Sequence, residues 1–227
     1  MTPAVPSTTA QHERYERILQ AATAMLALGG EDMLQMRELA QRAEVSLATL
    51  YRYFPAKEHV VLAIAVRRYQ NALTLVTREP PDGATVQERV TSHLLREFRA
   101  VQRDQTLTAS ISRVMANTRA DYRQAIIQVH DLHMKILQQV AVAGRPLRRD
   151  QYMRLIIARN VFTAASQRWL AGVSSAAEAR REIRMGCHLL NVPGLFPDDE
   201  LSKSLPAASQ SGPSILPYVF HGEGHRV

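Results

Sequence analysis

The sequence predicts an all-α protein with a small N-terminal unit of three helices and a larger C-terminal helical bundle. Apolar residues recur at spacings of three and four along most of the chain, as at Ile18, Ala22 and Met25, which is typical of one helix face. No segment alternates convincingly as a hairpin, and glycine and proline clusters separate the helical stretches. With 227 residues and 46% hydrophobic composition, the chain can bury one large domain plus a small one.

The predicted helices follow one another with short breaks. The first begins near Gln11 and ends at Gly29-Gly30, because glycine adopts a left-handed conformation cheaply at a helix C-terminus. The later helices are expected at Met36–Ala43, Leu47–Tyr53, Pro55 to about Thr77, and near 84–103, 104–116, 119–143, 150–171 and 175–190. The predicted organisation is a disordered arm over 1–10, an N-terminal domain over 11–58, a bundle over 59–191 and a poorly ordered tail over 192–227.

The composition excludes several classes of protein. A single cysteine, Cys187, rules out an intrachain disulfide and a multi-cysteine zinc site. No apolar run approaches the ~20 residues of a membrane span, and no secretory signal is visible, so we expect a cytoplasmic protein without membrane contact. Because the sequence shows no nucleophile elbow, phosphate-binding glycine loop or metal-ligand cluster, we expect no enzyme, no cofactor and no metal site.

The net charge of +7 is compatible with nucleic-acid binding but does not locate it. Residues 1–60 contain six basic and seven acidic side chains, a net charge of −1. Residues 61–227 contain twenty-two and fourteen, a net charge of +8. The positive surplus therefore lies outside the first sixty residues.

The segment Met36–Lys57 has the pattern of a helix-turn-helix motif. Ala40 provides the small residue that two crossing helices need, and Ser46 stands where its hydroxyl can cap the second helix. The first turn of that helix would point into a DNA major groove, and its residues are Leu47, Ala48 and Thr49.

The run from Thr49 to Glu58, together with Met36–Ala40, resembles the signature of the TetR family of bacterial transcriptional regulators. The resemblance covers about residues 18–62. Within it, the sequences at Gln35–Arg37 and Thr49–Lys57 are similar to those of regulators of steroid catabolism in actinobacteria. It implies a dimeric repressor that binds a palindromic operator in double-stranded DNA and is released by a small effector. A helical enzyme or a protein-binding adaptor without DNA binding is the alternative.

The resemblance assigns DNA contacts residue by residue. The position of Arg37 reaches a guanine edge or a phosphate, and that of Thr49 lies in the groove. The family's aromatic positions, here Tyr51 and Tyr53, bond backbone phosphates through their hydroxyl groups. Lys57 matches a phosphate-binding lysine at a helix N-terminus.

Other positions of the motif suggest its specificity or depart from the family pattern. Leu47 and Ala48 are apolar, which favours contacts with thymine methyl groups. Glu44 stands where a turn glycine is usual and places a negative charge near the DNA side. Gln35 replaces the common hydroxyl cap of the first motif helix.

For the bundle, the resemblance implies a homodimer through the helices near 150–171 and 175–190 and a pocket for a small, largely apolar effector. Candidate pocket residues are large apolar side chains and two histidines: His93, Leu94, Phe98, Met115, Val129, His133, Phe162 and Trp169. His133, alone in an apolar stripe, is either such a residue or a core histidine. The charge of +8 indicates an acidic group on the effector, such as a carboxylate or an acyl thioester of coenzyme A, or it is spread over solvated helix faces.

Overall fold

The computed structural model describes residues 4–117 and 119–192, and no strand occurs among them. Nine α-helices lie in these ranges: α1 (Thr9–Gly29), α2 (Met36–Arg42), α3 (Leu47–Tyr53), α4 (Lys57–Arg78), α5 (Val86–Arg103), α6 (Gln105–Met115), α7 (Arg123–Val142), α8 (Arg149–Leu170) and α9 (Ala176–His188). Short 3-10 turns follow α1, precede α7 and follow α9. The predicted all-α fold class is confirmed.

The sequence predicts a disordered arm over residues 1–10, but residues 4–10, the part that the structure describes, have defined contacts. The Thr8 side chain accepts a hydrogen bond from the backbone N–H of Gln11, so α1 begins at Thr9, within that arm. Ahead of this cap, the backbone N–H of Ala4 donates to the carbonyl oxygen of Arg52 at 3.0 Å. The segment before α1 is therefore held against α3.

The fourth helix begins two residues later than the sequence predicts. Ala56 is extended, with φ −149° and ψ 163°, and is the N-cap of a helix whose first residue is Lys57. Pro55, predicted to open the helix, therefore lies just before the cap. The two short helices before it, α2 and α3, begin at the predicted residues.

Among the described residues there are two hydrophobic cores, and the predicted boundary between residues 58 and 59 falls within α4, which contributes to both. The N-terminal core joins α1, α2, α3 and the first half of α4 to residues of the following domain, including Leu107 and Val114 of α6 and Tyr122. The bundle core joins Val76 near the end of α4 to α5, α7, α8 and α9. Helix α4 thus contributes to both cores, and α6 seals the N-terminal core from the bundle side.

The described chain ends against α8. The buried guanidinium of Arg154 donates to the carbonyl oxygens of Leu189 and Val192 at 2.9 and 2.5 Å. Apart from Val192, the tail predicted over 192–227 lies outside the described residues.

Candidate functional site

Helix α3 begins with the cap that the sequence predicts. The Ser46 hydroxyl accepts from the backbone N–H of Thr49 at 3.1 Å and donates to the Thr49 hydroxyl oxygen at 2.8 Å. The buried Leu50 and Tyr53 fix the other face of this seven-residue helix to the N-terminal core. Packing of this kind is needed because so short a helix is marginal alone.

The outward side of this region carries most of the residues predicted to contact DNA. Arg37, Ser46 and Ala48 are exposed, and Tyr51 keeps 39% of its accessible surface despite its large ring. The remaining members, Leu47, Thr49 and Lys57, are half-buried. We call this surface the α3 face; it consists of Arg37, Ser46, Leu47, Ala48, Thr49, Tyr51 and Lys57.

The structure places Tyr53 away from the α3 face. Its ring is 2% exposed and packs edge-on against Tyr15, with 5.8 Å between ring centroids. The Tyr53 hydroxyl is buried and has no hydrogen-bond partner within residues 4–117 and 119–192. A phosphate contact from this hydroxyl stays a prediction, and it would require the side chain to move.

Both departures from the family motif have a structural counterpart. Glu44 adopts φ +53°, the left-handed conformation for which a turn glycine is favoured. Gln35 precedes α2, and its side-chain amide donates to the Asp32 carbonyl at 3.1 Å, toward the preceding turn. The turn therefore keeps its geometry with glutamate in the glycine position.

In the bundle, the structure brings together five of the eight residues predicted to line a pocket, and half-buried Trp169 joins them. The His133 ring lies 5.9 Å from Phe162, and Phe98 lies edge-on to Trp169 at 5.4 Å. The buried members are His93, Leu94, Phe98, His133 and Phe162. Val129 is buried on α7 one turn before His133, whereas Met115 packs against the N-terminal core.

A carboxylate that the sequence reasoning missed lies at the centre of this group. Glu97 Oε1 accepts a hydrogen bond from the Tyr69 hydroxyl at 3.3 Å. Its Oε2 lies 3.2 Å from His133 Nε2 and 3.7 Å from His93 Nε2. A signal was present in the sequence, because Glu97 interrupts the apolar stripe of α5 four residues after His93.

Burial and neighbours shift the pKa values of this cluster. Burial alone would raise the pKa of Glu97, but His133, His93 and Tyr69 outweigh it, and the pKa lies below its usual value. Burial raises the pKa of the Tyr69 hydroxyl well above its usual value and lowers that of His93. The group is therefore a charged carboxylate beside a neutral phenol.

Two basic groups border the cluster from α7 and α8. Arg159 lies 3.5 Å from His130, between guanidinium and imidazole nitrogens. Burial and the Arg159 charge lower the pKa of His130 to about 4, and burial also lowers the pKa of Arg159. Both His130 and Arg159 are half-buried.

Two features are absent from the described residues. Residues 4–117 and 119–192 contain no group of three or more His, Cys, Asp or Glu side chains placed to hold a metal ion. No helix within the same ranges has the length and apolar character needed to cross a bilayer.

Helix α3 is capped by Ser46 and packs in a three-helix unit that precedes a helical bundle. This arrangement is that of a helix-turn-helix regulator of transcription. Residues 18–64 match the family model for bacterial regulatory proteins of the tetR family, and residues 83–190 match that for a tetracyclin repressor-like C-terminal domain. The chain belongs to the TetR family, as the motif predicts, and is a transcription regulator rather than an enzyme.

Its relatives include repressors of actinobacteria. The HTH-type transcriptional repressor KstR of Mycobacterium tuberculosis is 31% identical, over 80% of this chain and 82% of its own. KstR of Rhodococcus jostii is 32% identical, over 81% and 85%. Both relatives are matched over most of their length, so the similarity is not confined to the helix-turn-helix.

Solved structures show the same fold. A TetR transcriptional regulator from Rhodococcus sp. RHA1 superposes with a TM-score of 0.73 at 26% identity, covering 81% of this chain and 98% of that one. The Thermus thermophilus repressor FadR, in complex with lauroyl-CoA, superposes with a TM-score of 0.63 at 19% identity, covering 82% and 97%. The second likeness is one of fold alone.

Proposed function

We propose that this chain is a dimeric repressor that acts in the cytoplasm, binds a palindromic operator through the α3 face, and is released by a small, largely apolar effector. The observation that carries the proposal is the α3 face itself. It presents Tyr51, Ala48 and the end of a capped helix outward, while the opposite side of α3 is fixed in the N-terminal core.

The contacts with DNA would come from a few placed groups, because residues 1–60 carry a net charge of −1. Lys57 is the first residue of α4, where its ammonium group and the free backbone N–H groups of the first turn both favour a phosphate. Arg37 is exposed near the start of α2. These cations would fix the register, and Leu47, Ala48 and Thr49 would read base edges.

A second copy of the chain would cover the outer faces of α8 and α9. One stripe of α8, including Leu155 and Phe162, is buried in the bundle core. The other stripe is only half-buried in this single chain, and it consists of Met153, Ile157, Val161 and Ala164. On α9, Met185 keeps 66% of its accessible surface. Apolar surface of this kind favours burial between two copies.

The effector would bind among α4, α5, α7 and α8. Aromatic and aliphatic side chains surround the Glu97 cluster there, a composition that suits a mostly apolar molecule. FadR, of the same fold, holds lauroyl-CoA, and this supports an apolar chain as part of the effector. Because α4 contributes to both cores, a change of packing around the effector can alter the spacing of the two helix-turn-helix units in a dimer.

A mobility-shift titration with DNA from around the protein's own gene tests this proposal. We expect a sequence-specific complex that a small molecule reverses. Lys57→Ala should weaken binding at least tenfold at low salt and reduce the salt-dependence slope by about two, because each subunit of the dimer loses one phosphate contact.

Lys135→Ala is the matched control, because it removes an exposed lysine from α7 and should leave affinity and slope unchanged. A dimer that shifts no tested promoter specifically would contradict the proposal and favour a protein-binding adaptor. If Lys57→Ala behaved like the control, the phosphate contact would be wrong.

A further inference from the structure

The Glu97 cluster has hydrogen-bonding capacity that the protein itself does not use. Glu97 Oε2 and His133 Nε2 are 3.2 Å apart but are not aligned for a hydrogen bond. In the described part of the chain, both atoms are buried and without a hydrogen-bond partner, as is His93 Nδ1. Buried polar atoms without partners cost stability, so they point to a function.

The Glu97 cluster lies inside the bundle, between side chains of α4, α5, α7 and α8. The Glu97 side chain keeps 21% of its accessible surface, although its neighbours come from α4, α5 and α7. Burial is still the largest single influence on the pKa of Glu97 and of Tyr69, which shows that protein surrounds both groups. The accessible surface of the Glu97 side chain does not include Oε2, which is buried, and Phe162 of α8 lies against His133.

The two unpartnered atoms form a complementary pair. Glu97 Oε2 can only accept, because Tyr69 already donates to Oε1 and the group is a carboxylate. His133 Nε2 can donate in the tautomer that carries its proton there. A single oxygen that both donates and accepts would satisfy both atoms, and a hydroxyl group is the simplest such ligand. Because both atoms are buried in this structure, neighbouring side chains must move apart to admit it.

We propose that Glu97 and His133 bind a hydroxyl group on an otherwise apolar effector. The hydroxyl donates to Glu97 Oε2 and accepts from His133 Nε2, while the apolar body packs along Phe98, Phe162 and Trp169. This assignment rests on the proposed function, because it takes the bundle as the effector site. If the effector also carries the acidic group that the net charge of +8 indicates, that group lies away from Glu97.

Other polar groups fit this pair less well. A carboxylate would be repelled by the Glu97 charge. A ketone or an ether only accepts, so it would leave Glu97 Oε2 without a donor. An ammonium group would satisfy Glu97 but cannot accept from His133 Nε2 in the tautomer that carries its proton there, and burying it costs far more desolvation than burying a hydroxyl.

Binding of four probes with one apolar chain tests the assignment: 1-decanol, decyl methyl ether, sodium decanoate and decylammonium chloride. The protein has one tryptophan, Trp169, which packs on Phe98 beside Glu97, so its fluorescence reports occupancy. We expect 1-decanol to bind about tenfold more tightly than the ether, because it makes a charge-assisted hydrogen bond. Decanoate and decylammonium should also bind more weakly than 1-decanol.

Two variants locate the preference at Glu97. Glu97→Leu should reduce the alcohol-to-ether ratio to about one without weakening the ether, and Glu97→Gln, which keeps the shape, should give an intermediate ratio. Glu13→Gln removes an exposed carboxylate from α1 and should leave the ratio unchanged. Thermal unfolding of the ligand-free proteins verifies that each variant is folded.

The proposal is overturned if 1-decanol binds no better than the ether, if no probe binds, or if Glu97→Leu keeps the preference. Operator binding without probes is measured on the same samples and separates this proposal from the previous one. Specific DNA binding with a ratio of one contradicts the hydroxyl site alone. The predicted ratio with no specific DNA binding contradicts the repressor proposal alone.

Discussion

Glu44 shows how one residue can combine a backbone role with an electrostatic one. It holds the left-handed conformation of the helix-turn-helix turn and leaves a carboxylate exposed beside α3. A non-glycine residue in this conformation costs roughly 1–2 kcal/mol of stability. Glycine would remove this cost, but its greater freedom in the unfolded chain would offset part of the gain.

We expect Glu44→Gly to raise the free energy of unfolding by about 0.5 kcal/mol, because glycine relieves the left-handed strain. Urea denaturation with an unchanged m-value measures this effect. Glu44→Gln keeps the strain and removes the charge, so it should leave stability unchanged while tightening DNA binding at low salt. Equal stability of the two variants would contradict the backbone explanation.

His130 makes stability depend on pH. Its pKa is about 4 in the folded chain and about 6.5 when unfolded. Between these values the unfolded chain binds more protons, so stability falls as the pH falls from 7 to 5. After allowance for partial exposure of the imidazole, we expect His130→Asn to remove about 1 kcal/mol of this loss, measured by denaturation at both pH values. An equal loss in the variant would show that other histidines, such as His93, account for it.

At the scale of elements, α8 and α9 form one closely packed pair. A Cβ added at Gly186 would lie 2.9 Å from the Cβ and Cγ1 of Val161. Glycine therefore permits the close approach of two helices that we propose to form the subunit interface.

Gly186→Ala should destabilise the protein by about 1 kcal/mol, because overpacking against Val161 outweighs the better helix propensity of alanine. Adding Val161→Ala removes the clash, and in that background Gly186→Ala should no longer destabilise. A double-mutant cycle of denaturation free energies tests this coupling. Additive effects would mean that α9 shifts freely and that the close contact has no energetic weight.

Helix existence and order could be predicted from the sequence because the apolar spacing and breaks are strong local signals. The starts of α1 and α4 could not, because the cap at Thr8 depends on a side-chain hydrogen bond and the cap at Ala56 on backbone angles. The site was predictable where a motif carries it, as at Ser46. Glu97 was missed because its role depends on residues from three helices, and Met115 was grouped with the pocket because periodicity does not reveal which core a face meets.

At the scale of the whole molecule, DNA binding at a palindrome depends on two correctly spaced copies. Met185→Asp places a charge at an exposed position of α9, so the single chain should fold normally while the dimer dissociates at least tenfold more readily. Sedimentation velocity across micromolar concentrations measures this change, and operator affinity should fall in parallel. Leu75→Asp, at a 49% exposed position of α4, is the control. A dimer that Met185→Asp leaves intact would place the interface elsewhere.

Selection of binding sites from a pool of random double-stranded DNA tests the central claim most directly. If the α3 face reads bases in two successive major grooves, the dimer should enrich one palindromic sequence. Thr49→Ala should then change the preferred base at one position in each half-site, because a single groove contact is altered. A dimeric protein that enriches no sequence, or a Thr49→Ala variant with an unchanged consensus, would contradict this account.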